Sequence, residues 1–348
     1  MSFSNCVKSG YGCLVKFFAL VGFFVVLGIL ALGVFCGVVA KLAGDGDGDF
    51  GATAPECDRT FARRWMCGDG DEDDPVVVCV SLRGVITATA EAGMFAELES
   101  SYSRALRHIR AATNDADVRG LVLRLDTPGG TVTDSDVMAD ALRRFKAADE
   151  KRFVIVLMGS MCCSGGYYVA AEADCILANP TTLTGSIGVI MNGFNAADLA
   201  KKIGVKSVVV ASGSNKALLD PLEPVNPEHV AILRRAVEQD YERFVSIVAR
   251  GRRLPVDEVK KIADGRVLSA QDALAAKLVD GLGYAEDAWR KAAELAGADH
   301  VRVYRYEEPF SWRTFFSEPA FARYGRAFVA GAMSGLDDAA PRAEYRLR

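Results

Sequence analysis

Cys163-Ser164-Gly165-Gly166-Tyr167-Tyr168 is the stretch that decides how this chain is read. The apolar run at residues 153–158 precedes it and reads as a buried strand, and residues 169–172 continue it as a helix. A serine between a strand and a helix sits where free backbone N–H groups can stabilise an oxyanion. The flanking glycines let a substrate backbone come close. Taken alone, the stretch equally suits an ordinary Gly-rich turn whose serine caps the helix.

Working outward, strands and helices alternate. Residues 76–82 read as a strand, 95–112 as an amphipathic helix and 119–125 as a second strand that ends in Asp126-Thr127-Pro128-Gly129-Gly130. A helix is expected over 134–147, with Asp134 as its N-cap. Short strands are expected at 175–178, 187–191 and 206–210, with a helix at 195–203. From Asn226 the periodicity becomes helical, over 227–250, 255–263, 269–276 and 285–296, before a closing strand at 301–306. This pattern predicts one α/β domain with a mainly parallel sheet and C-terminal helices over residues 75–300. Residues 301–348 read as that closing strand and an arginine-rich tail.

Residues 17–40 carry no charge over 24 positions. About 20 apolar residues cross a bilayer core, whereas a cleaved signal peptide has an apolar stretch of only about 7–15. The segment is therefore expected to be a single transmembrane anchor. Lys8 and Lys16 precede it without an acidic residue, while Asp45, Asp47 and Asp49 follow Lys41. That bias predicts residues 1–16 in the cytoplasm and the remainder on the outer side of the cytoplasmic membrane. Residues 41–74 hold ten acidic residues, three arginines and many glycines, and read as a solvated linker. The net charge of −4 gives no indication of a nucleic-acid partner. Nine cysteines are scattered without a zinc-type spacing, and Cys57 with Cys67 is the pair an exported domain could join. Neither metal nor cofactor is expected.

A nucleophilic serine needs a base. The chain has three histidines, His108, His229 and His300, and none stands in a Gly-rich turn or at a strand end. A Ser-His-Asp triad is disfavoured by that placement but is not excluded by spacing. The other familiar base for serine is a lysine desolvated enough to lose its proton. Lys216 lies just after a strand-like run in the turn-rich loop 211–217, where an ordinary surface charge is the plain alternative. The turn Thr127-Pro128-Gly129-Gly130-Thr131 could present oxyanion donors, or be a simple Pro-Gly turn.

Four ordered motifs resemble the signal peptide peptidase A (protease IV) family. They are Asp126 to Val132 (DTPGGTV), Ser164 to Ala170 (SGGYYVA), Leu183 to Val189 (LTGSIGV), and Asp264 to Ala270 (DGRVLSA) with Gly281-Leu282-Gly283. The resemblance covers about residues 76–296 and implies a Clp/crotonase-like α/β fold with a Ser-Lys dyad peptidase. It implies Ser164 as nucleophile and Lys216, 52 residues downstream, as general base. Gly130 and Gly165 would supply the oxyanion amides, and Ser186 would orient the lysine. It further implies a short, single-domain form that assembles as a homo-oligomeric ring, with serine and lysine from neighbouring protomers, and that acts on membrane-derived peptides such as released signal peptides. Two departures stand out. Cys162-Cys163 occupies positions where small alanines are the rule, and Ser214-Asn215 precedes the lysine where an aromatic is commoner. The rival expectations are a Clp-like protease with a histidine base, a crotonase-type enzyme, and a catalytically degenerate membrane scaffold.

Overall fold

The computed structural model describes residues 61–67, 71–89 and 100–307, with the backbone alone at 91–92 and 97–98. The expected anchor at 17–40, its flank at 1–16, Cys57, most of the linker and the tail beyond residue 307 lie outside these residues. Among the described residues, no helix is long and apolar enough to cross a membrane.

The chain runs through β1 (Ala62–Cys67), β2 (Val76–Arg83), the small pair β3 (Glu91–Ala92) and β4 (Glu97–Leu98), and α1 (Ser101–Asn114). Then come β5 (Val118–Thr127), α2 (Val132–Ala147), β6 (Phe153–Cys163) and α3 (Gly165–Ala170). After β7 (Cys175–Ala178), β8 (Leu183–Gly185) and α4 (Ala197–Ile203), the helices α5 (Pro227–Arg252) and α6 (Val256–Ile262) follow. The chain continues through β9 (Val267–Ser269), α7 (Ala270–Ala275), β10 (Gly281–Leu282), α8 (Ala285–Ala296) and β11 (Arg302–Glu307).

The main sheet has the order β1-β11-β2-β5-β6-β7-β10, with β8 on β6 and β9 on β8. The pairings are parallel except β1 with β11 and β8 with β9. This is the expected α/β domain with a mainly parallel sheet, and it fits a Clp/crotonase-like fold. Both faces of the central strands are buried, as parallel sheets require. Along β2, Val76, Val78, Val80 and Leu82 enter the larger core, on the side of Phe145 of α2 and Val248 of α5. Val77 and Cys79 face the other way, into a smaller core with Ala288 and Ala292 of α8.

One irregularity in β6 places the site. Its first part pairs with β5 up to Leu125↔Met158, and pairing resumes at Thr127↔Cys162. Four steps along β6 thus match two along β5, so Gly159 and Ser160 bulge out and the strand bends. Asp126 Oδ1 accepts the Met161 amide (3.1 Å), and Thr182 Oγ1 donates to the Gly159 carbonyl (2.6 Å), which satisfies the groups the bulge releases. Beyond the bend, residues 161–163 pair with β8 and carry the chain into the Ser164 turn.

Several expectations are corrected. The stretch 41–74 is not wholly a linker, because β1 lies within it and pairs antiparallel with β11. Arg63 is held by Asp115 and Asp117, and Arg64 by Glu307, so charges that read as solvated fix an edge strand. The helix expected from 134 begins at Val132, and its N-cap is Thr131, whose Oγ1 accepts the Asp134 amide. Asp134 answers by accepting from Thr131 Oγ1, as the third residue of a capping arrangement. The first helix starts at Ser101, capped by Ser100, rather than near residue 95. The strands expected at 187–191 and 206–210 do not form. Their apolar runs lie along a largely exposed segment, and a strand exists only where a partner strand takes its hydrogen bonds.

Candidate active site

Ser164 joins β6 to α3 with φ 50° and ψ −119°. Positive φ is uncommon for a residue with a side chain and costs on the order of 1–3 kcal/mol, so it persists only where the surroundings enforce it. Here the Ser164 amide donates to the Gly185 carbonyl on β8 (2.9 Å), and its carbonyl accepts the Tyr168 amide (2.9 Å). The hydroxyl does not cap the helix, unlike that of an ordinary serine-capped turn. It stands half-buried at the bend of the sheet.

The turn after β5 packs directly against it. Thr127 Oγ1 accepts the Gly129 amide (3.0 Å), and Gly129 takes φ 108°. A Cβ on Gly129 would stand 2.9 Å from the Ser164 Cβ and 2.9 Å from the Gly165 nitrogen. Gly130 is bracketed by Ile86, whose amide donates to the Gly129 carbonyl (2.9 Å) and whose carbonyl accepts the Thr131 amide (3.0 Å). A Cβ on Gly130 would overlap that carbonyl. A Cβ on Gly165 would lie 3.2 Å from the Gly130 nitrogen. Ser164, Gly130 and Gly165 are therefore brought together. Among the described residues, neither glycine amide is used in a hydrogen bond.

Ser186 follows Gly185, the acceptor of the Ser164 amide, and also has positive φ, at 49°. Its amide donates to the Arg266 carbonyl (2.7 Å), and the Gly265 amide donates to the Ile187 carbonyl (3.0 Å). The motif beginning at Asp264 thus holds the Ser186 turn by its backbone. Lys216 is placed differently. It is exposed, on a turn closed by its amide to the Gly213 carbonyl (3.1 Å), and among the described residues no hydrogen bond or ion pair joins it to Ser164. The surrounding segment bonds mainly within itself, through Asn195 to the Glu223 carbonyl and Ser207 to Asp220. It exposes Ile190 (85%), Phe194 (93%), Val208 (86%) and Val210 (96%), and walls an open cleft of about 1020 Å³ against the start of α5.

The histidines point elsewhere. His108 packs against the rings of Phe61 and Tyr306. His229 bonds the Ser214 carbonyl (3.3 Å), and His300 is exposed at the far end of α8. Cys162 and Cys163 are buried, and burial pushes both thiols above their ordinary range, Cys162 furthest. They pack as small apolar side chains and are not poised as thiolates.

Three residues of the site carry little signal in the sequence. Ile86 reaches Gly130 from 44 positions away, Asp126 serves the bulge, and Ser135 lies behind Gly165. Only Asp126, fixed beside the Pro-Gly-Gly turn, belonged to a recognisable motif. A wider clamp joins the elements around them. Tyr168 Oη donates to Asp136 Oδ1 (2.7 Å), and Arg243 of α5 donates to both Asp136 oxygens (2.8 and 2.9 Å). The helix after the Pro128-Gly129-Gly130 turn and the helix after Ser164 are thereby tied to α5.

Residues 146–299 match peptidase family S49. A Synechocystis protein with a protease name is 44% identical over 53% of this chain and 65% of its own length. Protease 4 of Salmonella typhi is 39% identical over 58% of this chain and 32% of its own length. The chloroplastic serine protease SPPA of Arabidopsis thaliana is 35% identical over 51% of this chain and 26% of its own length. The chain thus spans less than two thirds of each of these relatives. The matched region holds the serine turn, the Ser186 turn and the motif beginning at Asp264, so residues 146–299 carry a peptidase family S49 domain, and relatives named SppA and protease 4 support the signal peptide peptidase A family.

Proposed function

We propose that this protein is a membrane-anchored serine endopeptidase that hydrolyses membrane-derived peptides, such as signal peptides already released from their precursors. The observation that carries the reading is the enforced positive φ of Ser164 against the free amides of Gly130 and Gly165. Lys216 Nζ takes the Ser164 hydroxyl proton as Oγ bonds to the peptide carbonyl carbon. The carbonyl oxygen becomes an oxyanion held by the two amides. The lysine returns the proton to the departing amine, and the C–N bond breaks. Water then adds to the acyl-enzyme with the same base, releasing the new carboxylate and restoring Ser164. Ser186 orients the lysine.

The lysine reaches the serine by assembly. Chains close into a ring in which Lys216 of one protomer serves Ser164 of the next. The exposed apolar segment around Lys216 supports this, since patches of that kind mark association surfaces. Burial there would also desolvate the lysine, as its role as base demands. Residues 17–40 anchor the chain in the cytoplasmic membrane, with residues 1–16 inside and the catalytic domain outside. Neither cofactor nor nucleic acid takes part.

The test is hydrolysis of an unstructured apolar peptide by the full chain and its variants. Ser164→Ala and Lys216→Ala abolish turnover, and Lys216→Arg does not restore it, because a guanidinium does not give up its proton. Turnover by Lys216→Ala that is lost on changing a histidine would overturn the lysine assignment.

A further inference from the structure

We propose that Ser135 is a positioning residue that sets the spacing of the two oxyanion amides. The inference rests on the reading of Ser164 as nucleophile and of Gly130 and Gly165 as oxyanion donors. Ser135 lies in the first turn of α2 and is only 2% exposed. Its hydroxyl donates to the Thr131 carbonyl (2.8 Å), and its amide donates to the same oxygen (3.1 Å). The carbonyl directly after Gly130 is thus held twice by one residue. Ile86 holds the Gly129 carbonyl and the Thr131 amide, so the backbone on both sides of Gly130 is pinned.

The same hydroxyl forms the wall behind the second amide. A Cβ built on Gly165 would collide with Ser135 Oγ. Ser135 therefore touches Gly165 while bonding the carbonyl next to Gly130, and it is a side-chain contact that joins the two donor turns. A serine in a helix often bonds the carbonyl four residues back, and by itself that means little beyond local packing. The distinguishing feature is the opposite face of the hydroxyl, which meets the nucleophile's turn. Donors misplaced by a fraction of an ångström lose most in the transition state, where the oxygen is charged and displaced from its ground-state position.

The test compares full-length variants for folded yield, kcat, KM, affinity for a peptide boronic acid that forms a tetrahedral adduct, and acylation at Ser164. Ser135→Ala is expected to lower kcat on the order of 10–100-fold with KM nearly unchanged, and to weaken the boronic acid by the same factor. Thr and Val have the same shape, so Ser135→Thr should exceed Ser135→Val in kcat by restoring the hydroxyl. That pair decides the matter if Ser135→Ala fails to fold. Equal kcat in Thr and Val variants, or an Ala variant that keeps kcat and boronic acid affinity, overturns the proposal. A wild type that is not acylated at Ser164 removes the underlying reading, and the proposal with it.

Discussion

Gly129 and Ser164 are in such close apposition that a methyl group on the glycine would stand 2.9 Å from the serine Cβ. Real Cβ atoms do not approach that closely, and Gly129 also holds φ at 108°, a value L side chains avoid. The Pro128-Gly129-Gly130 turn is therefore specified by the serine beside it as much as by its own turn chemistry.

Gly129→Ala should accordingly disable catalysis without unfolding the domain. The turn must retreat from Ser164, carrying the Gly130 amide with it. A fall in kcat of about 100-fold or more is expected, comparable to removal of an oxyanion donor. Kinetics beside circular dichroism will check it; an Ala variant with undiminished kcat would show that the close approach has no catalytic consequence.

Thiol reagents should leave activity untouched. Cys162 and Cys163 adjoin Ser164, yet burial raises both thiols and keeps them protonated near neutral pH. Incubating the native enzyme with N-ethylmaleimide should not lower kcat/KM. Rapid inactivation, tracked by mass to either cysteine, would mean that the turn opens far more than its packing suggests.

Acid should loosen the clamp at Asp136. Burial pushes this carboxyl up, but hydrogen bonds from Tyr168 and Arg243 outweigh it and hold it below the ordinary carboxylate range. A depressed carboxyl stabilises the fold fully above its unfolded value, about 3.9, and loses that contribution as pH falls through the folded one. Asp136→Asn should be less stable than wild type at neutral pH, and the gap should narrow below about pH 4. Urea denaturation at several pH values reads this directly; a gap independent of pH would remove the charge from the explanation.

Mixing inactive variants tests assembly. Ser164→Ala and Lys216→Ala chains, co-assembled, should recover activity if one protomer's lysine serves another's serine. The exposure of Lys216 and the apolar surface around it motivate the expectation. No recovery in mixtures shown to co-assemble would assign both groups to one chain.

The Ser164 turn was legible because its signals are local. A buried strand, a serine, two glycines and a helix are contiguous, and Pro128-Gly129-Gly130 punctuates a neighbouring strand. The strand β1 was not legible, because its partner β11 lies some 240 positions away and its arginines resemble a solvated charge run until Asp115 and Glu307 are brought to them. Thr131 displaced Asp134 as cap because its Oγ1 accepts the Asp134 amide, so the helix already begins at Val132. The runs at 187–191 and 206–210 have strand-like composition, but composition does not provide a partner. The role of Ser135 depends on a contact across two elements, which no spacing rule encodes.

As the proposed nucleophile, Ser164 should form the acyl-enzyme. Full-length protein treated with a serine-directed fluorophosphonate, digested and analysed by mass spectrometry, tests it most directly. One adduct is expected, on Ser164, with stoichiometric loss of peptide hydrolysis and no labelling of Ser164→Ala. Labelling at Ser160 or Ser186 instead, or full hydrolysis by Ser164→Ala, would contradict it.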